Sequence, residues 1–545
     1  MSLYITVGGR PKVKSWGIII VTALGFLMGL ILAGVGVTSA KTYFSSKSKV
    51  EKMVDSYWRD ADLSSKELFQ LISNTNCQSS EKYFLACVNS VLQVLPKYHL
   101  VLSPETGSLS RVEMASEYDG RSEKENLQPY IRAYELQKNH RINFESIWKQ
   151  ILDAEPSEET ESYTIGMGIN GFLSVYKDPH TYILPNQFFE EVGSKSERSH
   201  LFVGISFERK NGSIFVRRIY RNSDAERSGL KEQDELLSLN GQNAQFLNLP
   251  DISTILKNSE INQFAIRIKR NGEEKELVIE RSHRVLNHIF VERISGLRDY
   301  AVLTLSKFNR GVCSEVSNHI KDLFEGSVSG LVLDLRDNPG GELNEVACLA
   351  GLFIGMNKKI YSVKYFDPLK IDEVVLTTGS LLYTGPLVVL VNSSSASASE
   401  LLAGALQEYN RAAVVGERTF GKGTFQEPEV WNKNSKISLF KTQGFYLLPS
   451  GASPQLKGIN PDFLADEAHV QLREASNYFN PIVPKNKEQE SRRAVTDFEL
   501  EFKKCSSTNL FQREDLILKK GLDVLSCHRI SSAMASKFSP EEFNQ

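Results

Sequence analysis

Pro386-Leu387-Val388-Val389-Leu390-Val391-Asn392-Ser393-Ser394-Ser395-Ala396-Ser397-Ala398-Ser399-Glu400 decides the fold class. The unbroken apolar run after Pro386 reads as a strand buried on both faces, as in a parallel sheet covered by helices. Asn392 and the Ser/Ala cluster stop the strand and open a helix through Leu406. A serine at such a strand-to-helix turn can project its hydroxyl from the sheet edge, with helix-start amides beside it. The same residue type is also an ordinary helix cap, and alone the cluster reads as one.

The neighbouring segments repeat the texture. Tyr300–Leu305 reads as a strand followed by a helix over Val312–Phe324. Gly330–Leu335 is a second apolar strand, running into Asn338-Pro339-Gly340-Gly341, with a helix from Leu343 to Phe353. Alternating strands and helices over about residues 299–465 predict an α/β domain. Glycines after a buried strand let backbone N–H groups face a reacting carbonyl as an oxyanion hole. Downstream, Gly421-Lys422-Gly423-Thr424-Phe425-Gln426 sets a lysine between glycines. Lysine takes a proton from a serine hydroxyl only if burial away from carboxylates lowers its pKa. The segment Thr419–Phe425 has no acidic residue, which favours that role. It lacks the G-x-x-x-x-G-K-[ST] phosphate loop. Ser397 also lacks the S-x-x-K lysine of β-lactamase-like enzymes, having Glu400 there instead.

Upstream, residues 198–284 read as short strands. Phe202–Phe207 and Ser213–Ile219 alternate, Ser223–Leu230 reads as a short capped helix, and Leu249–Lys257 as an amphipathic one. Phe264–Lys269 and Glu276–Glu280 flank Asn271-Gly272, a hairpin turn. Residues 41–160 read as helical, with apolar spacing in Ser65–Ile72 and Tyr83–Leu95, and Ser162–Val175 adds a further helix.

The chain of 545 residues is long enough for several domains, and its net charge of −2 argues against a nucleic-acid partner. Trp16–Val37 carries no charge and follows Arg10, Lys12 and Lys14. This predicts a membrane anchor with the N-terminus in the cytosol and the body exported. Thr38-Ser39-Ala40 offers the alternative of signal cleavage and a soluble exported protein. Of the six cysteines, Cys77 with Cys87 and Cys505 with Cys527 are plausible local pairs, although spacing alone does not settle connectivity. Metal-ligand spacings are absent, so no metal site and no cofactor are expected.

In chain order, the sequence also carries DPHT at Asp178–Thr181, LVLDLRDNPGG at Leu331–Gly341, SASASE at Ser395–Glu400, VVGERTFGKGTFQ at Val414–Gln426 and KGINPDF at Lys457–Phe463. Together they resemble the carboxy-terminal processing, or tail-specific, proteases, most of all the periplasmic bacterial subgroup. The resemblance spans about residues 160–470. It implies a crotonase/Clp-like α/β core with an inserted, mainly-β PDZ domain and helical N- and C-terminal regions. It places the nucleophile at Ser397, the base at Lys422 and a lysine-orienting glutamine at Gln426. The separation from 397 to 422 is the one the family pattern expects. Backbone N–H groups of Gly340 or Gly341 and of Ala398 would form the oxyanion hole. His180, in DPHT, is expected to be structural, since a lysine base makes it redundant. A PDZ domain would add a substrate's apolar C-terminus as a strand, its carboxylate held at Val203-Gly204-Ile205 and its groove lined by Ile252, Ile255 and Leu256.

The resulting organisation is 1–15 cytosolic, 16–40 anchor or signal, 41–197 helical, 198–284 PDZ domain, 285–470 catalytic core and 471–545 helical tail. The implied partners are exported protein substrates, with an adaptor lipoprotein and a homo-oligomer left open. The implied place is the periplasmic side of the inner membrane. The contrasting reading is a catalytically inactive, membrane-anchored PDZ scaffold.

Overall fold

The computed structural model describes residues 57–94, 98–102, 109–114, 143–154, 158–187, 203–210, 213–219, 223–244, 252, 255–256, 261–281, 288–295, 298–324, 328–465, 473–477, 482–484 and 515–527. The sequence expectations for the 16–40 segment and for Cys505 lie outside these residues.

A six-stranded sheet runs in the order Ile289–Ile294, Tyr300–Leu305, Gly330–Asp334, Leu387–Val391, Ala413–Gly416, Phe463–Leu464. The first pair is antiparallel and the others are parallel. Strands Gly330–Asp334 and Leu387–Val391 are buried at every position, because both sheet faces are covered. Successive side chains point to opposite faces. Leu331, Leu333, Leu387, Val389 and Val391 pack with helices Val312–Phe324, Leu343–Ile354 and Ala398–Glu408. Each helix crosses between neighbouring parallel strands in the same direction along the sheet. The right-handed crossover rule therefore sends all three to one face.

The opposite face would be bare without the tail. Val302, Val332, Val388 and Leu390 are covered by Ile517, Leu518, Leu522 and Leu525 of the helix Leu516–Ser526. Asp515 caps this helix by accepting from Leu518 N. It also pairs with Arg336, which binds Asp334 at the end of its strand. A tail whose role the sequence leaves unreadable thus contributes a wall of the central domain.

A second sheet has the order Glu373–Leu376, Lys359–Tyr365, Ile437–Leu447, Thr424–Val430. Strand Tyr182–Pro185 joins it by pairing with Ile437–Leu447, Tyr182 opposite Phe440. This brings the turn Asp178–Thr181 beside Thr442 of Ile437–Leu447, which in turn pairs with Thr424–Val430, the strand that follows Lys422.

Upstream, the described residues include helices Ser65–Thr75, Glu81–Val94, Phe144–Ala154 and Glu158–Tyr176. They enclose Trp148, which is fully buried. Gly168 faces its indole, and a Cβ there would sit 2.5 Å from it. Trp431, just after strand Thr424–Val430, and Ile437 join the same core. The reading of 41–160 as helical throughout is corrected at one place. Tyr98–Leu102 and Leu109–Met114 form an antiparallel hairpin. Pro96 cannot continue a helix, and the aromatic and β-branched residues after it suit a strand.

The strand-rich segment folds around its own core, in the order Ile205–Lys210, Ser213–Ile219, Glu235–Leu239, Gln263–Arg270, Glu273–Glu280. Asn271 and Gly272 both have positive φ, as a two-residue hairpin turn with the favoured twist requires. Val203, Ile205, Ile252 and Leu256 are buried in this core, and Ile255 packs against it partly buried.

Cys77 is bonded to Cys87, as its spacing suggested. Cys313 is bonded to Cys348, a pairing between helices that are far apart in sequence. Cys527 is also disulfide-bonded. Among the described residues, no group of three or more His, Cys, Asp or Glu could hold a metal ion, and no helix is long and apolar enough to cross a membrane.

Candidate active site

Parallel register sets the site's location. Asp334 lies opposite Leu390, so the turns after both strands leave from one edge of the sheet, at the strands' C-terminal ends. Sites in parallel α/β sheets gather at that edge. The two turns are tied together. Ala396 N donates to Asn338 O at 3.0 Å, and Ser399 Oγ donates to the same carbonyl at 2.8 Å. Asn338 itself is fully buried and reaches back to Leu305 O through Nδ2.

Ser397 stands at the helix start but does not behave as an ordinary cap. Its φ of 55° and ψ of −113° are rare for a side-chain-bearing residue, and Glu400 reaches back to its backbone N–H in a capping-box arrangement. Such a conformation costs about 1–3 kcal/mol and persists only where its surroundings enforce it. Its neighbours are committed elsewhere. Ser395 Oγ donates to Leu335 O, Ser399 Oγ to Asn338 O, and both residues are fully buried. Ser397 alone of these three is partly exposed.

Gly340 lies against this turn. A Cβ there would stand 3.0 Å from Ala396 O, from Ala398 N and from Ser397 Cβ, and φ is 106°. Only glycine fits both demands. One sequence expectation changes here: Gly340 N–H is engaged by Asn338 Oδ1 at 2.9 Å. That N–H is thus spent within the turn.

The lysine loop docks onto the helix start through one side chain. Glu400 is fully buried. Its Oε1 accepts from Thr419 Oγ1 at 2.6 Å and Gly421 N at 2.7 Å. Its Oε2 accepts from Ser397 N at 2.8 Å and Lys422 N at 2.9 Å. Burial pushes this carboxyl up to about 7, against the pull of those donors. Phe420 N adds a bond to Ser395 O. Gly423 is required by close approach, since a Cβ would meet Gln455 N at 2.5 Å.

Burial lowers the Lys422 ammonium pKa, while the Glu474, Glu400 and Asp178 carboxylates pull it the other way. The expectation of a site remote from carboxylates is thus corrected. The local segment has none, but the fold brings three. Lys422 Nζ is 3.4 Å from Gln426 Oε1. Glu474 is fully buried and binds His180 Nε2 at 2.9 Å and Gln455 Nε2 at 3.3 Å. His180 is therefore paired to a carboxylate near the lysine.

The strand-rich segment reaches the same edge. Arg217 Nη1 donates to Ser394 Oγ at 2.8 Å, and its Nη2 lies 2.9 Å from Asp337 Oδ1. Asp337 precedes Asn338, and Ser394 lies in the turn before Ser397. One guanidinium therefore touches both halves of the edge.

Sequence reading did not single out Glu400 as more than part of SASASE, although Ser397 and Glu400 have capping-box spacing. Arg217, Glu474, Thr442 and the Cys313–Cys348 pair had no local pattern that could have revealed them.

An α/β edge with a strained serine, a glycine turn and a buried lysine is the arrangement of a serine-peptidase-type domain, and residues 299–465 match peptidase family S41. The relatives this chain resembles include carboxy-terminal processing proteases. A probable CtpA-like serine protease of Staphylococcus aureus (strain COL) is 28% identical over 331 residues, covering 60% of this chain and 65% of that protein. The carboxy-terminal processing protease CtpA of Bacillus subtilis (strain 168) is 27% identical over 322 residues, covering 58% of this chain and 68% of that one. The alignment thus spans a little under two thirds of the staphylococcal relative. Among solved structures, a photosystem II D1 C-terminal processing protease is similar at 22% identity with a TM-score of 0.42, over 62% of this chain and 90% of that one.

Proposed function

We propose that this chain is a serine endopeptidase that works through an acyl-enzyme on Ser397. The observation that carries the reading is the single oxygen, Glu400 Oε2, that holds the backbones of Ser397 and Lys422. Neutral Lys422 takes the proton of the Ser397 hydroxyl as Oγ attacks the peptide carbonyl carbon. The oxyanion rests on the N–H groups of Gly341 and Ala398. The ammonium of Lys422 then protonates the leaving amine, the C–N bond breaks, and an ester remains on Ser397. Water, deprotonated by Lys422, hydrolyses the ester. Gln426 Oε1 holds the lysine in place through this exchange.

The substrates of this reading are exported proteins with apolar C-termini. Strand Ile205–Lys210 is a sheet edge among the described residues, so an extended tail can add to it by main-chain pairing. Gly204, with φ of 80°, opens that strand and suits capture of the terminal carboxylate. The disulfides Cys77–Cys87 and Cys313–Cys348 fit an oxidising compartment. Arg10, Lys12 and Lys14 ahead of Trp16–Val37 favour an anchored protein facing outward from the inner membrane. An inactive scaffold is the weaker reading, since Ser397, Lys422 and Gln426 are all retained.

The test uses the full chain in detergent and a fluorogenic, unstructured peptide ending in an apolar tail. Ser397→Ala and Lys422→Ala should each abolish cleavage, and amidating the peptide's C-terminus should weaken binding. Undiminished cleavage by both variants rejects the dyad. Equal cleavage of free and amidated tails rejects tail capture.

A further inference from the structure

Gln426 can orient Lys422 only if its amide faces the right way, and the chain that sets this begins far away in sequence. Asp178, in the turn before strand Tyr182–Pro185, is buried. Its Oδ1 accepts from Thr442 Oγ1 at 2.7 Å and from His180 N at 3.0 Å, and its Oδ2 from Thr181 Oγ1 at 2.5 Å. A carboxylate is acceptor-only and a hydroxyl has one proton. Thr442 therefore spends its proton on Asp178 and can only accept from its other neighbour. That neighbour is Gln426 Nε2, at 3.2 Å. With its NH2 held there, Gln426 must present Oε1 to Lys422 Nζ. A flipped amide would set NH2 against the ammonium and leave the Thr442 oxygen facing a carbonyl.

We propose that Asp178 and Thr442 are positioning residues for the catalytic lysine: they impose hydrogen-bond polarity on Gln426 and thereby fix which of its ends meets Lys422. The inference rests on the assignment of Lys422 as the base. Strand pairing makes the relay possible, since Tyr182–Pro185 lies against Ile437–Leu447 and that strand against Thr424–Val430. Lys422 also faces Glu400 from helix Ala398–Glu408 and Glu474 from helix Glu474–Asn477, the latter paired with His180. Those carboxylates supply charge near the lysine, whereas the Asp178–Thr442 route supplies direction as well.

The test compares Thr442→Val, Thr442→Ser, Asp178→Asn, Gln426→Ala and the double variant Thr442→Val/Gln426→Ala in the full chain, on the same peptide. Thr442→Val should lower kcat by about 10- to 100-fold, part of a typical acid–base contribution, with KM little changed. Thr442→Ser should restore most of it. The double variant should be no worse than Gln426→Ala, because both act through one contact. Asp178→Asn should lower kcat and move the acid limb of the pH–kcat profile to lower pH, since it removes a carboxylate that favours the ammonium. Wild-type kcat in Thr442→Val, a Thr442→Ser as impaired as Thr442→Val, or full additivity in the double variant would overturn the proposal. If Thr442→Val does not fold, Asp178→Asn decides: an unchanged kcat and an unmoved acid limb overturn it. Ser397→Ala and Lys422→Ala run alongside. Loss of activity there with a wild-type relay variant removes only this inference, whereas activity retained there removes the dyad as well.

Discussion

Ser397 and Lys422 donate their backbone N–H groups to the same oxygen atom, Glu400 Oε2, at 2.8 and 2.9 Å. One buried carboxylate therefore sets the spacing of the two turns, and its other oxygen fixes Thr419 and Gly421. In Glu400→Gln an amide replaces an acceptor-only group and turns N–H against N–H. Its kcat should fall about 100-fold or more, as when a positioned catalytic contact is lost. The melting temperature carries a separate signature. The folded carboxyl is raised to about 7 from an ordinary 4.5. The folded chain thus holds this proton more tightly than the unfolded one. The associated stability is complete below the ordinary value and is lost as pH rises through about 7. The wild-type melting temperature should therefore fall relative to Glu400→Gln between pH 5 and 8, and a constant difference would refute the linkage.

Lys422 must lose its proton to act, and burial lowers its pKa. Activity should rise with pH through a limb that belongs to this residue. Lys422→Arg keeps the charge but cannot deprotonate in a protein. It should cost at least about 100-fold in kcat at every pH, on the usual scale of general-base catalysis. A variant with near-normal kcat would assign the base to another group.

Arg217 joins the strand-rich segment to Asp337 and Ser394, next to both catalytic turns. Removing it deletes this ion pair, although Asp337 Oδ1 keeps the bond from Asn392 Nδ2. Hydrogen exchange in Arg217→Ala should quicken in 335–341 and 392–397 while the tail helix stays protected. Unchanged exchange in the two turns would mean that the contact does not restrain them.

The tail helix should be structural. Leu522 is fully buried against the sheet face opposite the other helices. Leu522→Ala should destabilise the chain by about 2–5 kcal/mol, the usual range for a buried leucine. Denaturant melts check this, and a change within error would mean that the helix is not part of the domain.

The legible parts of this protein were those in which one segment reports its own environment. Leu387–Val391 and Gly330–Asp334 announced burial on both faces, and Asn271-Gly272 announced its hairpin. The motif pieces at Ser397, Lys422 and Gln426 were legible only through their joint resemblance to a family. Glu400 stood in plain view inside SASASE, but a capping residue and a bracket between two turns look alike in one dimension. Thr442 and Asp178 meet only because two strands pair across a long separation, and no period in the sequence records that. For Ile252 and Leu256, helical spacing identifies an apolar face without saying whether it meets core or ligand.

The central claim is that Ser397 is the nucleophile and Lys422 its base. The most direct measurement is peptide mass spectrometry after exposure to a serine-reactive peptidyl phosphonate. One covalent adduct is expected, on Ser397, absent in Ser397→Ala and strongly slowed in Lys422→Ala. An adduct on Ser395 or Ser399, or undiminished proteolysis by Ser397→Ala, would contradict the account.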